Sequence, residues 1–600
     1  MKPLALSCGI VVFALLFGPT HVFAAGEFKT EYTVKYAVSP IGTTTVTQDV
    51  SLVNQHPNLY PKEYEIIIDS VRIKNVVAHD SNGGITPRVT QKDGKTHIAL
   101  SFNSEVVGFG STLPFTLRYD SEDIAQRQGL IWEINIPGIS DDPDLVSYRV
   151  TLDVPAEFGP NAYTSPLPSD GRTWTKEQLT AGGITAAYGT NQVFAIRLSY
   201  HLQNESSTQQ IQEIAIPPDT AFQKVTMRSI DPLPTNVYRD PDGNWLARYA
   251  VPAGKAIDVV VSARVHVDVL PRNEFVEKTN DLTPFLLPTP HWQTEDPRIQ
   301  FLANRYKTPK EIYDYVVKTL EYDYERVNAS TTRKGAVQAL LTPQGSICTD
   351  FTDLFIAIAR AAGIPSRESV GYAYTTNMKL RPLSLGADIL HAWPEYYDVQ
   401  KNLWIPVDPT WGKTTGGINY FDKLDFNHIV LAIHGQSSEK PYPAGYYRRA
   451  GKKDRDVQVE FSNAPEEIPK GSIEAILDFP AFALSGFPLR GTLNIKNRTG
   501  VAVESVQIVI EASPYPFRLT KEHESIAPFS ETILPLSLPI SGIFSLKPAI
   551  ITAHIGKEVH TVRVWIVPLP GAGVFFTLMI YALYVSIKKT VHLWTQSKKH

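Results

Sequence analysis

Apolar and polar residues alternate along Tyr32-Thr33-Val34-Lys35-Tyr36, Glu63 to Ile68, Thr96 to Leu100 and Ala256 to Val261. A period of two is the mark of a strand with one buried face. Turn signals such as Ser81-Asn82-Gly83-Gly84 and Asp240-Pro241-Asp242-Gly243 separate these runs. The pattern predicts two β-sandwich modules, 25–140 and 141–272, divided where Pro137-Gly138 and Asp141-Asp142-Pro143 cluster. A proline-bearing linker is expected over 273–297.

The period then changes. Thr308-Pro309-Lys310-Glu311 reads as a capping box with proline at the first helical position. Ile312, Tyr315, Val316, Thr319 and Leu320 continue as a helix, and Gly335 to Leu341 predicts a second short one. Phe351, Leu354, Phe355 and Ile358 fall on one face of a third. Gly363 suits a left-handed residue past its end, and Pro365 forbids continuation. Strand patterns follow at Ser369–Tyr374, His391–Val399 and Leu403–Val407. Helices first and strands afterwards predict an α+β domain over 298–435. A basic, turn-rich linker at 436–457 carries Arg448, Arg449, Lys452, Lys453 and Arg455. Strand patterns at Leu493–Lys496, Val506–Ile510 and His560–Val564 then predict an immunoglobulin-like sandwich over 458–567.

The two ends bear on location. Lys2, the apolar run Ile10–Phe17 and Val22-Phe23-Ala24 read as a secretory signal over 1–24. The uncharged run from Val564 reaches twenty-four residues, long enough for one transmembrane helix at 568–588. Lys588, Lys589, Lys598 and Lys599 mark the tail, 589–600, as cytoplasmic. The expectation is a single-pass protein with its ectodomain outside the cytoplasm. With 43% hydrophobic residues, 20% charged and a net charge of −4, nothing points to a nucleic-acid partner.

Export makes the cysteine count informative. The chain has two cysteines, Cys8 and Cys348, so removal of the signal leaves one. Exposed thiols oxidise outside the cell, so a lone thiol there is either buried or used. Cys348 falls in the first turn of the third predicted helix, with Ser346 or Thr349 as its expected cap. Free backbone N–H groups and the helix dipole favour a thiolate at that position. A thiol nucleophile needs a base, and the base needs a third group to fix its tautomer. If 391–399 and 403–407 form a hairpin turning near Lys401-Asn402, His391 and Asp408 approach each other across it. Asp408 before Pro409 serves equally well as a turn former, and Cys348 as a core residue. Asp141, Asp142 and Asp144 read as a solvated acidic turn rather than a calcium site. No cofactor and no metal are expected.

Three stretches together resemble the transglutaminase-like superfamily, over about residues 295–435. Its members show Gly-x-Cys-x-[Asp/Glu] at a helix start, Gly-Ile-Pro-x-Arg after it, then His-Ala-Trp-x-Glu and Trp-x-x-x-Asp-Pro-Thr. This chain has Ser346-Ile347-Cys348-Thr349-Asp350, with Gly345 one place earlier than the commonest spacing. It has Gly363-Ile364-Pro365-Ser366-Arg367, His391-Ala392-Trp393-Pro394-Glu395, and Trp404 with Asp408-Pro409-Thr410. The resemblance implies a papain-like core flanked by the sandwiches. In it Cys348 is the nucleophile, His391 the general base and then acid, and Asp408 its orienter. The oxyanion would meet the backbone N–H of Cys348 and one further donor, for which Gln344 is available. Pro394 removes a backbone donor, so the strand is expected to be locally bulged or unpaired there. The implied activity is acyl transfer from amide or peptide bonds of a protein or peptide at the cell surface or envelope. Water as acceptor gives hydrolysis; an amine gives cross-linking. The reading from another class is a non-catalytic adhesion or assembly protein that keeps the fold.

Overall fold

The computed structural model describes residues 26–568 except 69, 274, 276–280, 328–331, 375–389, 416–418, 422–423, 448–454, 463–466, 540–546 and 557, and beyond these 581, 585 and 588. The signal at 1–24 lies outside the described residues. So does the apolar run at 568–588, apart from the four positions just named. Among the described residues no helix is long and apolar enough to cross a membrane.

The chain forms two compact units. The first comprises residues to 126 with 134–157 and 167–184. It holds a seven-stranded sheet and a three-stranded one. Alternation builds it: along Thr44–Asn54, Val46, Val50 and Leu52 are buried between outward polar residues. Tyr64 and Phe102 of the smaller sheet side pack their rings 5.5 and 5.1 Å from Phe115 of the larger. The strand Leu145–Asp153 pairs in parallel with Phe28–Val38, placing Val150 beside Val34. The boundary expected near 140 therefore cuts a single sheet. Periodicity marks strands but does not name their partners. In the acidic turn, Asp142 accepts the Asp144 N–H and Asp144 accepts that of Gly26, as an ordinary capped turn does.

The second unit takes residues 127–133, 158–166 and the chain from Thr185 onward. Its first part is two sheets, one ordered Gln223–Asp231, Ala256–Val267, Gln192–Gln203, Val457–Phe461 and the other Gln210–Ile216, Trp245–Val251, Asn236–Arg239. Tyr200, Val225, Trp245 and Val261 fill the space between. Val457–Phe461 was expected at the junction of the basic linker and the last sandwich. It is instead an edge strand here, with Val457 opposite Leu198. The final sandwich, three strands against five, runs from Ile473 to Val567.

Between these along the chain comes the α+β part. Its helices are α1 (Pro297–Arg305), α2 (Pro309–Thr319), α3 (Ala336–Leu341), α4 (Cys348–Ala361) and α5 (Pro409–Thr414). Its strands are β1 (Ser366–Ala373), β2 (His391–Asp398), β3 (Leu403–Pro406) and β4 (His428–His434), in the order β3-β2-β1-β4. The Thr308–Glu311 capping box starts α2 as expected. Helix α1 was not foreseen; Asp296 caps it, accepting the Arg298 N–H at 2.9 Å. Helix α4 is buried from Cys348 to Arg360, and Gly363 takes φ +83° just beyond it. Burial on every side requires its polar residues to be paired. Arg360 meets this by donating to the carbonyls of Ser366, Leu287 and Gly435. Gly371 is required where β1 meets β4, since a Cβ there would lie 1.9 Å from the Ile429 carbonyl oxygen.

Candidate active site

Cys348 is the first residue of α4. Ile347 precedes it in extended conformation, and Asp350 reaches back to accept the Ile347 N–H at 3.0 Å. Arg326 pairs with Asp350 and donates to the Gly345 carbonyl at 2.6 Å, which pins the turn before the helix. The cap is thus Asp350 rather than Ser346 or Thr349. Ser346 is spent on the Pro343 carbonyl, 3.0 Å away. The thiol therefore sits at the positive end of the helix dipole.

His391 opens β2 and is fully buried. Its Nε2 lies 2.9 Å from Asp408 Oδ2. Among the described residues Nδ1 makes no hydrogen bond to nitrogen or oxygen, so it is the ring nitrogen left for the thiol. Trp411 stacks on the ring at 5.3 Å and Trp393 lies at 5.9 Å. Burial disfavours charge on His391. The Asp408 carboxylate outweighs it, with a contribution from the Cys348 sulfur, and holds the imidazole up at about 9.

Asp408 follows β3. Glu395 faces Pro406 in the β2–β3 pairing, so the continued register sets Asp408 across from Trp393, two positions from His391. The side chain closes that gap diagonally. Its other oxygen, Oδ1, accepts the Trp411 N–H at 3.0 Å and caps α5. Asp408 is therefore both the turn former and the partner of His391. Burial raises its carboxyl, but His391 and His428 together hold it well below the usual range.

His428 was not singled out in the sequence. It opens β4, and its Nε2 lies 3.3 Å from the same Asp408 Oδ2. Its Nδ1 lies 2.7 Å from Asp425 Oδ1. No spacing rule flags it, because it begins an apolar run, His428–His434, that reads as a core strand.

The remaining motif residues hold the sheet together. Arg367 and Glu395 form a buried pair at 2.7 Å, Ser369 donates to Glu395 at 2.7 Å, and the Arg367 guanidinium lies 4.2 Å over the Trp404 ring. Of the two outcomes expected at Pro394, a bulge or a lost pairing, there is no bulge and the ladder to β3 stops at Glu395. Pro394 stays in register opposite Glu368, and its carbonyl accepts from Val407, so its missing N–H faces the frayed end of β3. Gln344 is exposed in the turn before α4.

Cys348 has no exposed surface and packs in a core with Val370, Leu390, Ala392 and Ala444. Tyr446, stacked on Tyr442, lies near enough for Cys348 to act on its phenol. Tyr446 is half exposed overall, but loss of water around its phenol, then the Glu368 carboxylate, push it up to about 12. A cavity of ≈ 290 Å³ is lined by Gln223, Trp393, Trp404, His428 and Val430, among others, and by no residue of α4. Among the described residues there is one metal-like grouping: ligand atoms of His391, Asp408 and His428 lie within 4.8 Å of one another. Those atoms already hydrogen-bond among themselves, so an ion would have to displace both contacts.

Residues 296–409 match the sequence profile of the transglutaminase-like superfamily. An uncharacterized protein of Haemophilus influenzae is 31% identical over 122 residues, covering 19% of this chain and 32% of that protein. Among solved structures, a candidate cysteine protease from Cytophaga hutchinsonii is 20% identical. It covers 46% of this chain and 98% of its own, with a TM-score of 0.28. The periplasmic domain of TgpA from Pseudomonas aeruginosa, bound to ethylmercury, is 17% identical over 37% of this chain and 91% of its own, with a TM-score of 0.21. The chain thus carries, at residues 296–409, a domain of the transglutaminase-like superfamily.

Proposed function

We propose that this protein is a cysteine enzyme that cleaves amide or peptide bonds through a thioester. The observation carrying this reading is the position of Cys348 at a helix start, beside an imidazole whose far nitrogen is fixed by Asp408. In the reaction the Cys348 thiolate attacks the carbonyl carbon, and the oxyanion meets the Cys348 backbone N–H. His391 gives its Nδ1 proton to the departing amine, and the C–N bond breaks. The acyl group remains on sulfur. His391, now neutral, takes a proton from water or from an incoming amine, which attacks the thioester and frees the thiol. Water yields hydrolysis and an amine yields a new amide.

The test is to trap the acyl-enzyme with a biotinylated amine in cell envelope extract. Labelled products should appear with wild type and vanish in Cys348→Ala. Turnover should fall as pH rises through about 9, because His391 then loses the proton its leaving group needs. One observation favours the adhesion reading: the thiol is fully buried. Iodoacetamide separates the two. Burial scales the alkylation rate equally at every pH, so the pH profile reports thiolate. Alkylation at pH 6 that is lost in His391→Ala supports the enzyme. A cysteine that reacts only when the protein unfolds, and ignores His391, supports adhesion.

The enzyme is placed outside the cytoplasm on a single C-terminal anchor, where its substrates are surface or envelope proteins and peptides. The uncharged run near the C terminus supports this. Ending the chain before Pro568 should release soluble protein on fractionation. Carbonate-resistant membrane binding of the truncated chain would show that another segment inserts.

A further inference from the structure

The role of His428 deepens the proposed function and rests on it. His428 is buried, and each ring nitrogen faces a carboxylate oxygen: Nδ1 to Asp425 Oδ1 at 2.7 Å and Nε2 to Asp408 Oδ2 at 3.3 Å. An ionised carboxylate only accepts hydrogen bonds, and a neutral imidazole carries only one N–H. Asp425 Oδ1 also takes the Asn427 N–H at 2.9 Å, so it acts as an acceptor. Both contacts can be hydrogen bonds only if both nitrogens carry hydrogen. We infer that His428 is a positioning residue, protonated at neutral pH, that fixes Asp408 and tempers its charge, extending the triad to Cys348–His391–Asp408–His428–Asp425.

The surroundings agree with a fixed cation. Asp408 Oδ2 is shared by His391 and His428, and Oδ1 is held by the Trp411 N–H, so the carboxylate cannot rotate without losing contacts. The His428 ring lies 5.7 Å from that of His391, 4.6 Å from Trp411 and 4.9 Å from Trp393. Of the other charged side chains facing it across the cavity, Glu395 and Arg367 neutralise each other, and Asp268 and Lys401 also line the wall. Asp425 and Asp408 are the carboxylates in direct contact. Burial works against charge on His428, and these two carboxylates overcome it, holding the ring up at about 9.

The functional consequence is electrostatic. Without the His428 cation, Asp408 would act on His391 at full strength and hold its proton too tightly. With it, the relay from Asp425 to Cys348 alternates in sign, and His391 remains able to give up its proton.

The experiment compares full-length wild type with His428→Gln, whose side-chain amide keeps an N–H near Asp408 but carries no charge. Two profiles are read against pH: alkylation of Cys348 by iodoacetamide, and turnover. Loss of a nearby cation makes proton release harder at both His391 and Cys348. Both limbs should therefore move to higher pH, by about one unit, so that alkylation at a pH well below the limb's midpoint falls about tenfold. A folded Asp425→Asn variant should move them the same way by less, because it releases the His428 proton while removing an anion farther from His391. It supplies the answer if His428→Gln does not fold. A residue that merely packs would lower the rate without moving either limb, and that result overturns the inference. Limbs displaced to lower pH overturn it too. If wild-type Cys348 itself shows no alkylation at pH 6, the nucleophile reading fails and this inference with it. A normal wild-type profile with unmoved variant limbs overturns this inference alone.

Discussion

Asp408→Asn is expected to lower turnover by about 10³–10⁴ while the domain remains folded. The carboxylate receives three hydrogen bonds, from Trp411 N–H on Oδ1 and from His391 and His428 on Oδ2. An amide offers one acceptor oxygen and, on the other side, an NH₂ that only donates. If its oxygen keeps the Trp411 N–H, its NH₂ faces the two imidazoles. His391 must then turn its lone pair to the amide and leave a hydrogen on Nδ1, where it cannot take a proton from the thiol. If the amide flips, α5 loses its cap and an N–H faces an N–H. Either way the cost to stability is that of one or two misplaced buried hydrogen bonds, about 1–3 kcal/mol each. Loss of activity with near-native circular dichroism is the expected outcome. Full activity in a folded Asn variant would remove Asp408 from the mechanism, and outright unfolding would leave it only the capping role.

The largest effect on stability is expected at Arg333, away from the reacting atoms. Its guanidinium pairs with Asp353 and with Glu368 at 2.9 Å, and donates to the Ser438 carbonyl at 2.6 Å. Both carboxylates are fully buried. Trp292 adds an indole N–H to Asp353 at 2.8 Å, and His434 lies 2.7 Å from Glu368. The cluster ties the centre of α4 to β1 and β4, and so sets the platform on which Cys348 and His391 meet. Burial pushes Asp353 up, and Arg333 pulls it back. Arg333→Met removes the counter-charge from two carboxylates that cannot reach water. Breaking a buried pair in this way costs roughly 3–5 kcal/mol. The sign with pH is fixed: once protonated, the carboxyls need no counter-ion, so the deficit is largest above neutral pH and shrinks as pH falls towards 5. Urea unfolding of the variant at pH 7.5 and pH 5 measures this. A deficit below about 1 kcal/mol, or one independent of pH, would mean that Trp292 and His434 suffice for the carboxylates.

Local chemistry carried much of this protein into view. The Thr308–Glu311 box, the apolar stripe Phe351–Ile358 and the Gly363-x-Pro365 stop depend on neighbours within a turn or two, so sequence alone fixed α2 and α4 near their observed ends. Cys348, His391 and Asp408 were legible because a thiol, an imidazole and a carboxylate stand at motif spacings around one helix and one hairpin. Other features are relations between distant segments, which periodicity does not encode. Val150 buries beside Val34 and Val457 beside Leu198 because exposed sheet edges recruit whichever strand covers them. Asp350 replaced the expected hydroxyl cap because Arg326 fixes it there. Asp408 serves α5 and His391 at once because its two oxygens point to different elements. His428 stayed hidden for the same reason. Its sequence neighbours say core strand, and only the folding of β4 behind Asp408, with Asp425 on its far side, turns an ordinary buried histidine into a charged member of the site.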